Sequence, residues 1–132
     1  GKSLQLESLI NACDSYLDEI VLVEGAGGFL SPIAEDGLNA DLAAALKADV
    51  IVVASNRLGC INHTLLTVEA ILSRKLRVAA VVLNNVTNAP SSKSNSDWLT
   101  RELDAPLIEF GGIHVEQDSA ITALADLVLA RD

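Results

Sequence analysis

Aromatic residues are scarce in this sequence, which holds one Trp, one Tyr and two Phe among 132 residues, and methionine is missing altogether. Half the chain is nevertheless hydrophobic, and Ala, Leu, Val and Ile supply most of that half. Such a composition suits helices packed on buried aliphatic strands, and it excludes a disulfide-rich or collagen-like scaffold. Two cysteines, Cys13 and Cys60, are too few and too far apart for a disulfide framework or a zinc site, and reduced thiols are the simple reading. Basic residues are also short, nine against eighteen acidic ones, for a net charge of −9. That charge repels nucleic acid and anionic lipid, so neither is an expected partner. No charged start followed by a long apolar run is present, so neither a signal peptide nor a membrane span is expected, and the cytoplasm is the expected location. The chain begins at Gly1 rather than at a methionine, as a processed protein or a fragment would.

The apolar residues that remain are ordered. Leu6, Leu9, Ile10, Cys13 and Leu17 recur at helical spacing and predict a helix over 4–17. Ile20–Val23 reads as a short buried strand opening into Glu24-Gly25-Ala26-Gly27-Gly28. Helices are expected over 38–46, with Asn39 as N-cap, and over 61–72, 94–103 and 119–130, the last capped by Ser119; strands are expected over 50–54, 78–83 and 107–110. Strands alternating with helices imply right-handed crossovers and a mostly parallel sheet with helices on both faces, in one domain spanning 1–132. Ligands of such sheets bind beyond the carboxyl ends of the strands, so the loops after Val23, Ala54, Leu83 and Ile108 should share one edge.

Three of those loops carry residues suited to anions or bases. Glu24 with Gly25, Ala26 and Gly27 could hold a magnesium ion beside backbone amides that approach a phosphate, or could simply form a tight turn. Gly59, Cys60, Ile61 and Asn62 open a helix directly after a strand, where free amides make an anion site; equally, Asn62 or Thr64 could be a cap. Asn84 and Asn85 end a strand, where amides can read a nucleobase or only turn the chain. His63 and His114 have no partner at metal spacing, and no nucleophilic arrangement can be assembled around Cys60. Gly1-Lys2-Ser3 matches the end of a Gly-x-x-x-x-Gly-Lys-Ser/Thr loop but lacks the preceding strand and first glycine, so no complete P-loop is present.

Taken in order, Val23-Glu24-Gly25-Ala26-Gly27-Gly28, the Leu58–Thr67 segment and Leu83-Asn84-Asn85-Val86 resemble dethiobiotin synthetase, with Leu58–Thr67 the most specific. The likeness runs from Gly1 to Asp132 and corresponds to the later part of that family's length, a P-loop NTPase-like fold without its P-loop unit. It implies a ligase of biotin biosynthesis, an ATP-binding homodimer that closes the ureido ring of 7,8-diaminononanoate with CO2 through a phosphorylated carbamate. By the same resemblance Glu24 is the Mg2+ ligand, Glu24, Gly25, Ala26 and Gly27 lie at the ATP phosphates, and Asn84 and Asn85 lie at adenine. Gly59, Cys60, Ile61 and Asn62 match the helix start that takes the substrate carboxylate across the dimer interface. Glu109-Phe110-Gly111-Gly112-Ile113 departs from the Gly-x-Ile-Pro segment usual near the base. The family's P-loop lysine, its further catalytic lysine and a metal-binding aspartate match nothing in the chain, so no catalytic residue is assigned. A short non-catalytic homologue serving as a binding or regulatory module, and a half-enzyme completed by a separate P-loop chain, are the alternatives.

Phosphoryl transfer needs cationic groups at the γ-phosphate. These 132 residues alone are therefore expected to hydrolyse no ATP and to form no dethiobiotin. A coupled assay that registers magnesium-dependent turnover by the isolated chain would contradict this.

Overall fold

The structure, a computed structural model, describes residues 3–16, 20–85, 92–111 and 119–129. Its element order is α1 (Leu6–Asp14), β1 (Pro32–Ala34), β2 (Gly37–Leu38), α2 (Asn39–Ala45), β3 (Val50–Ser55), α3 (Cys60–Ser73), β4 (Val78–Asn84), α4 (Ser92–Glu102), β5 (Leu107–Phe110) and α5 (Ser119–Leu129). Among the described residues, no helix is long and apolar enough to cross a membrane.

The last three strands form a parallel sheet in the order β3-β4-β5. β4 lies in the middle, and its residues Val78 to Leu83 are all buried, Ala80, Val81 and Leu83 completely. A strand covered on both faces needs a continuous aliphatic run rather than alternation, and Val-Ala-Ala-Val-Val-Leu supplies it. On one face Ile71 of α3 packs with Val52, Val78 and Val81, while Cys60 of α3 and Leu99 of α4 pack with Leu83. Ala80 and Val82 point the other way and are buried as well, beneath α5, which lies against β4 and β5. Helices on both faces of a parallel sheet are thus as the sequence implied.

Pairing begins with a clasp. Arg77 donates two hydrogen bonds to the Asp49 carboxylate, each 2.9 Å, and the Val50 N–H donates to the Arg77 carbonyl, also 2.9 Å. Asp49 and Arg77 are the residues just before β3 and β4, so this contact ties the two strand starts together; the pairing then shifts by one residue, Val50 facing Val78 and Ile51 facing Ala80. The bond to Asp49 and its charge raise the Arg77 pKa above its ordinary value.

Two expectations about the strands change. Ile20–Val23 is not a strand: its residues pair with nothing described, and Leu22 is 80 % exposed. A strand exists only through a neighbour that satisfies its N–H and C=O groups, so an aliphatic run alone does not suffice. β3 meets β4 along one edge, no described strand lies along the other, and Val53 on its α5-facing side is 69 % exposed. The second change is the short antiparallel hairpin β1–β2. The helix expected over 4–17 is observed from Leu6 to Asp14, with Leu17 outside the described residues, as are Ala130, His114, Gly112, Ile113, Gly1 and Lys2.

The hairpin turn holds the amino end of α1. Asp36 Oδ1 accepts the Leu6 N–H at 2.8 Å, and the Glu35 N–H donates to the Leu4 carbonyl at 3.0 Å. The first turn of a helix has unpaired N–H groups, and a carboxylate there also opposes the positive end of the dipole. Asp36→Ala is expected to cost about 1 kcal/mol, read as a melting temperature lowered by a few degrees. An unchanged melting temperature would show that the contact contributes nothing.

Candidate functional site at the carboxyl edge of the sheet

Glu24 to Gly28 form an exposed loop gripped from below by one side chain. Asn39, at the start of α2, reaches the carbonyls of Ala26 at 2.9 Å, Gly28 at 2.8 Å and Ser31 at 3.3 Å through Nδ2. Its expected role as N-cap is not what is observed: Leu38 occupies the cap position, and its N–H donates to Asp41 Oδ2 at 2.9 Å. The grip explains two glycines. A Cβ on Gly25 would stand 2.2 Å from Asn39 Oδ1, a buried atom with no hydrogen-bond donor among the described residues, and Gly27 has φ +86° with Ser31 Oγ 2.9 Å from where a Cβ would be. Local geometry therefore accounts for both, and the residues of the loop from Glu24 to Gly28 remain exposed.

α3 begins at Gly59, whose φ of +89° is left-handed. The Cys60 N–H already donates to the Arg57 carbonyl at 3.0 Å, and the His63 N–H begins the helical ladder on the Gly59 carbonyl at 3.0 Å. Of the four expected positions, the amides of Ile61 and Asn62 are the first-turn donors the helix itself does not use. Asn62 is exposed, Ile61 packs partly into the core, and the Cys60 thiol is buried, its Sγ 3.8 Å from Asn56 Oδ1.

A chain of amides crosses the same edge. Asn95 Nδ2 donates to Asn56 Oδ1 at 2.9 Å, Asn56 Nδ2 to Asn85 Oδ1 at 2.6 Å, and Asn85 Nδ2 to Glu109 Oε2 at 3.2 Å. Ser96 Oγ donates to the other Glu109 oxygen at 2.5 Å. Backbone bonds run parallel to it, with the Asn56 N–H on the Asn84 carbonyl at 2.9 Å and the Asn85 N–H on the Phe110 carbonyl at 2.7 Å. β3, β4, β5 and α4 thus meet in one polar seam, in which Asn56 and Ser96 are buried.

A family model described as AAA domain matches residues 1–121. The chain belongs to that family. It is 40 % identical over 110 residues to the ATP-dependent dethiobiotin synthetase BioD of Vesicomyosocius okutanii subsp. Calyptogena okutanii (strain HA), an alignment covering 83 % of this chain and 49 % of that protein. It is 37 % identical over 115 residues to the protein of the same name from Ruthia magnifica subsp. Calyptogena magnifica, covering 87 % and 52 %. The chain spans about half the length of these curated relatives. The resemblance to dethiobiotin synthetase carried by residues 23–28, 58–67 and 83–86 therefore holds over most of the chain, and the parallel sheet flanked by helices accords with a P-loop NTPase-like AAA domain.

In this AAA-domain chain the expected residues fall into two groups. Gly59 to Asn62 and Asn84 to Asn85 share the carboxyl edge, as strand alternation implied. The described hydrogen bonds of the loop at residues 24–28 run to Ser31 and Asn39, not to that edge. Asn84 contributes its carbonyl to the seam and Asn85 its side chain. Sequence reasoning missed Asn39 as the loop's anchor, and Asn56, Asn95, Ser96 and Glu109 as Asn85's surroundings. Glu109 did leave a signal, as the one acid in the apolar strand Leu107–Phe110. No group of three or more His, Cys, Asp or Glu that could hold a metal occurs among the described residues.

Gly25→Ala should cost roughly 1–3 kcal/mol through the clash with Asn39, because rotating that amide away surrenders its bonds to the loop. In an Asn39→Ala background the same substitution should cost measurably less. Urea unfolding of the two single variants and the double variant checks this, and strictly additive costs would contradict the grip.

Proposed function

We propose that these residues form the C-terminal portion of an ATP-dependent dethiobiotin synthetase, a cytoplasmic homodimer that closes the ureido ring of 7,8-diaminononanoate with CO2. The observation that carries this reading is the 40 % identity over 110 residues to a protein named for that activity. The site's chemistry supports it. An exposed carboxylate next to a phosphate-approachable backbone fits Mg2+, which is commonly bound through one or two carboxylates plus substrate phosphates. Bound there, the ion would neutralise phosphate charge.

In this reading Glu24 is the protein's ligand to the metal, and Gly25, Ala26 and Gly27 face the phosphates with backbone. Asn84 and Asn85 meet adenine. The start of α3 takes the substrate carboxylate: Gly59 keeps the approach open, the amides of Ile61 and Asn62 donate, and Cys60 supports the turn from inside. Helix amides are a local positive source in a chain of net charge −9, where long-range attraction for an anion is lacking. A second protomer would close this carboxylate site.

Two measurements on the intact protein test the roles. Glu24→Gln should weaken Mg2+ affinity and lower turnover at limiting magnesium at least tenfold, about 1.4 kcal/mol; full turnover with normal folding would reduce Glu24 to a turn residue. Asn62→Ala should weaken binding of the diamino acid with little change in melting temperature. A lowered melting temperature with unchanged affinity would instead limit Asn62 to stabilising the first turn of α3, whose cap position Gly59 holds in place of the Asn62 or Thr64 expected from sequence.

A further inference from the structure

The seam at the carboxyl edge has a direction, and Glu109 sets it. A carboxylate only accepts hydrogen bonds, so the Asn85 amide must turn Nδ2 toward Glu109, 3.2 Å away. Its Oδ1 then faces Asn56 Nδ2 at 2.6 Å, and Asn56 Oδ1 in turn faces Asn95 Nδ2 at 2.9 Å. Reversing Asn56 would put oxygen against oxygen and N–H against N–H at a residue 2 % exposed, where water cannot compensate, and reversing Asn85 would put N–H against N–H there and oxygen against oxygen at Glu109. Ser96, 5 % exposed, holds the far oxygen of Glu109 and keeps the carboxylate from turning away. With those bonds made, Asn85 retains one N–H and one oxygen lone pair in fixed positions at the end of β4.

We infer that Glu109 is a positioning residue for base selection: by fixing the direction of the Asn85 amide, it makes this edge accept a base that shows a donor beside an acceptor and refuse one that shows two acceptors. This rests on the nucleotide reading proposed above. Adenine shows its N6 amino donor beside N7, matching Asn85 Oδ1 and Nδ2, whereas guanine shows O6 and N7, and O6 would face the fixed Oδ1. Without the carboxylate, Asn95, Asn56 and Asn85 could reverse as a unit, and the Asn85 amide could then present its other edge.

The test is Glu109→Gln in the intact protein, since a Gln amide can donate or accept and lets the chain run either way. The dissociation constants of MgATP and MgGTP are measured by calorimetry, and the Asn85 side-chain amide is followed by NMR. Ser96→Ala is a milder second variant should Glu109→Gln fold poorly, and Asp104→Asn, at an exposed residue, controls for the lost charge. The expected result is a preference for ATP in the unaltered protein that falls at least tenfold in Glu109→Gln and less in Ser96→Ala. It should persist in Asp104→Asn, with tripolyphosphate binding equal in all four proteins. A shifted Asn85 amide signal should accompany the loss. An ATP preference unchanged within twofold in both Glu109→Gln and Ser96→Ala, or an unmoved Asn85 signal, overturns the inference while leaving the nucleotide reading intact. An unaltered protein that binds neither nucleotide overturns that reading and the inference together.

Discussion

Burial of β4 on both faces is the constraint from which the site follows. Val78 to Leu83 have helices above and below, and a strand so placed must be aliphatic throughout and must satisfy its backbone sideways, through β3 and β5. All three strands run parallel, so their carboxyl ends emerge together, and Asn56, Asn85 and Gly111 follow those ends directly. Polar side chains can stand there because the aliphatic run has just stopped. The same ordering brings the first turn of α3 to this edge, with its unused amides.

The edge and the glycine loop are held by different means. At the edge, rigidity comes from side-chain amides in series, ending in a carboxylate that allows only one orientation. In the loop it comes from Asn39, which ties carbonyls from below and leaves the upper backbone exposed. In both places an asparagine that could pass for ordinary turn chemistry sets the geometry of residues that would meet a ligand.

What could be read from the sequence divides along physical lines. The strands at residues 50–55, 78–84 and 107–110 were legible because aliphatic runs of that length between turn formers have few other uses, and helical spacing revealed α3 and α5 nearly to their ends. Ile20–Val23 has the same composition and is not a strand, because composition does not reveal whether a partner is present. The β1–β2 hairpin was too short to show a period. That Gly59 to Asn62 and Asn84 to Asn85 share an edge was implied by strand alternation alone. The seam was hidden, since Asn56, Asn85 and Glu109 meet only through the register of three strands, and Ser96 and Asn95 only through the docking of α4. Asn39 looked like a cap because a helix start and a loop anchor favour the same short amide.

The function proposed above puts nucleotide contacts at two places, the loop at residues 24–28 and the end of β4. It is tested most directly by titrating the isotopically labelled protein with MgATP and following its amide resonances. The account predicts that Gly25, Ala26 and Gly27 backbone signals and the Asn85 side-chain signal move together along a single saturable curve. Saturable shifts confined to other parts of the molecule, or none at all, would contradict it.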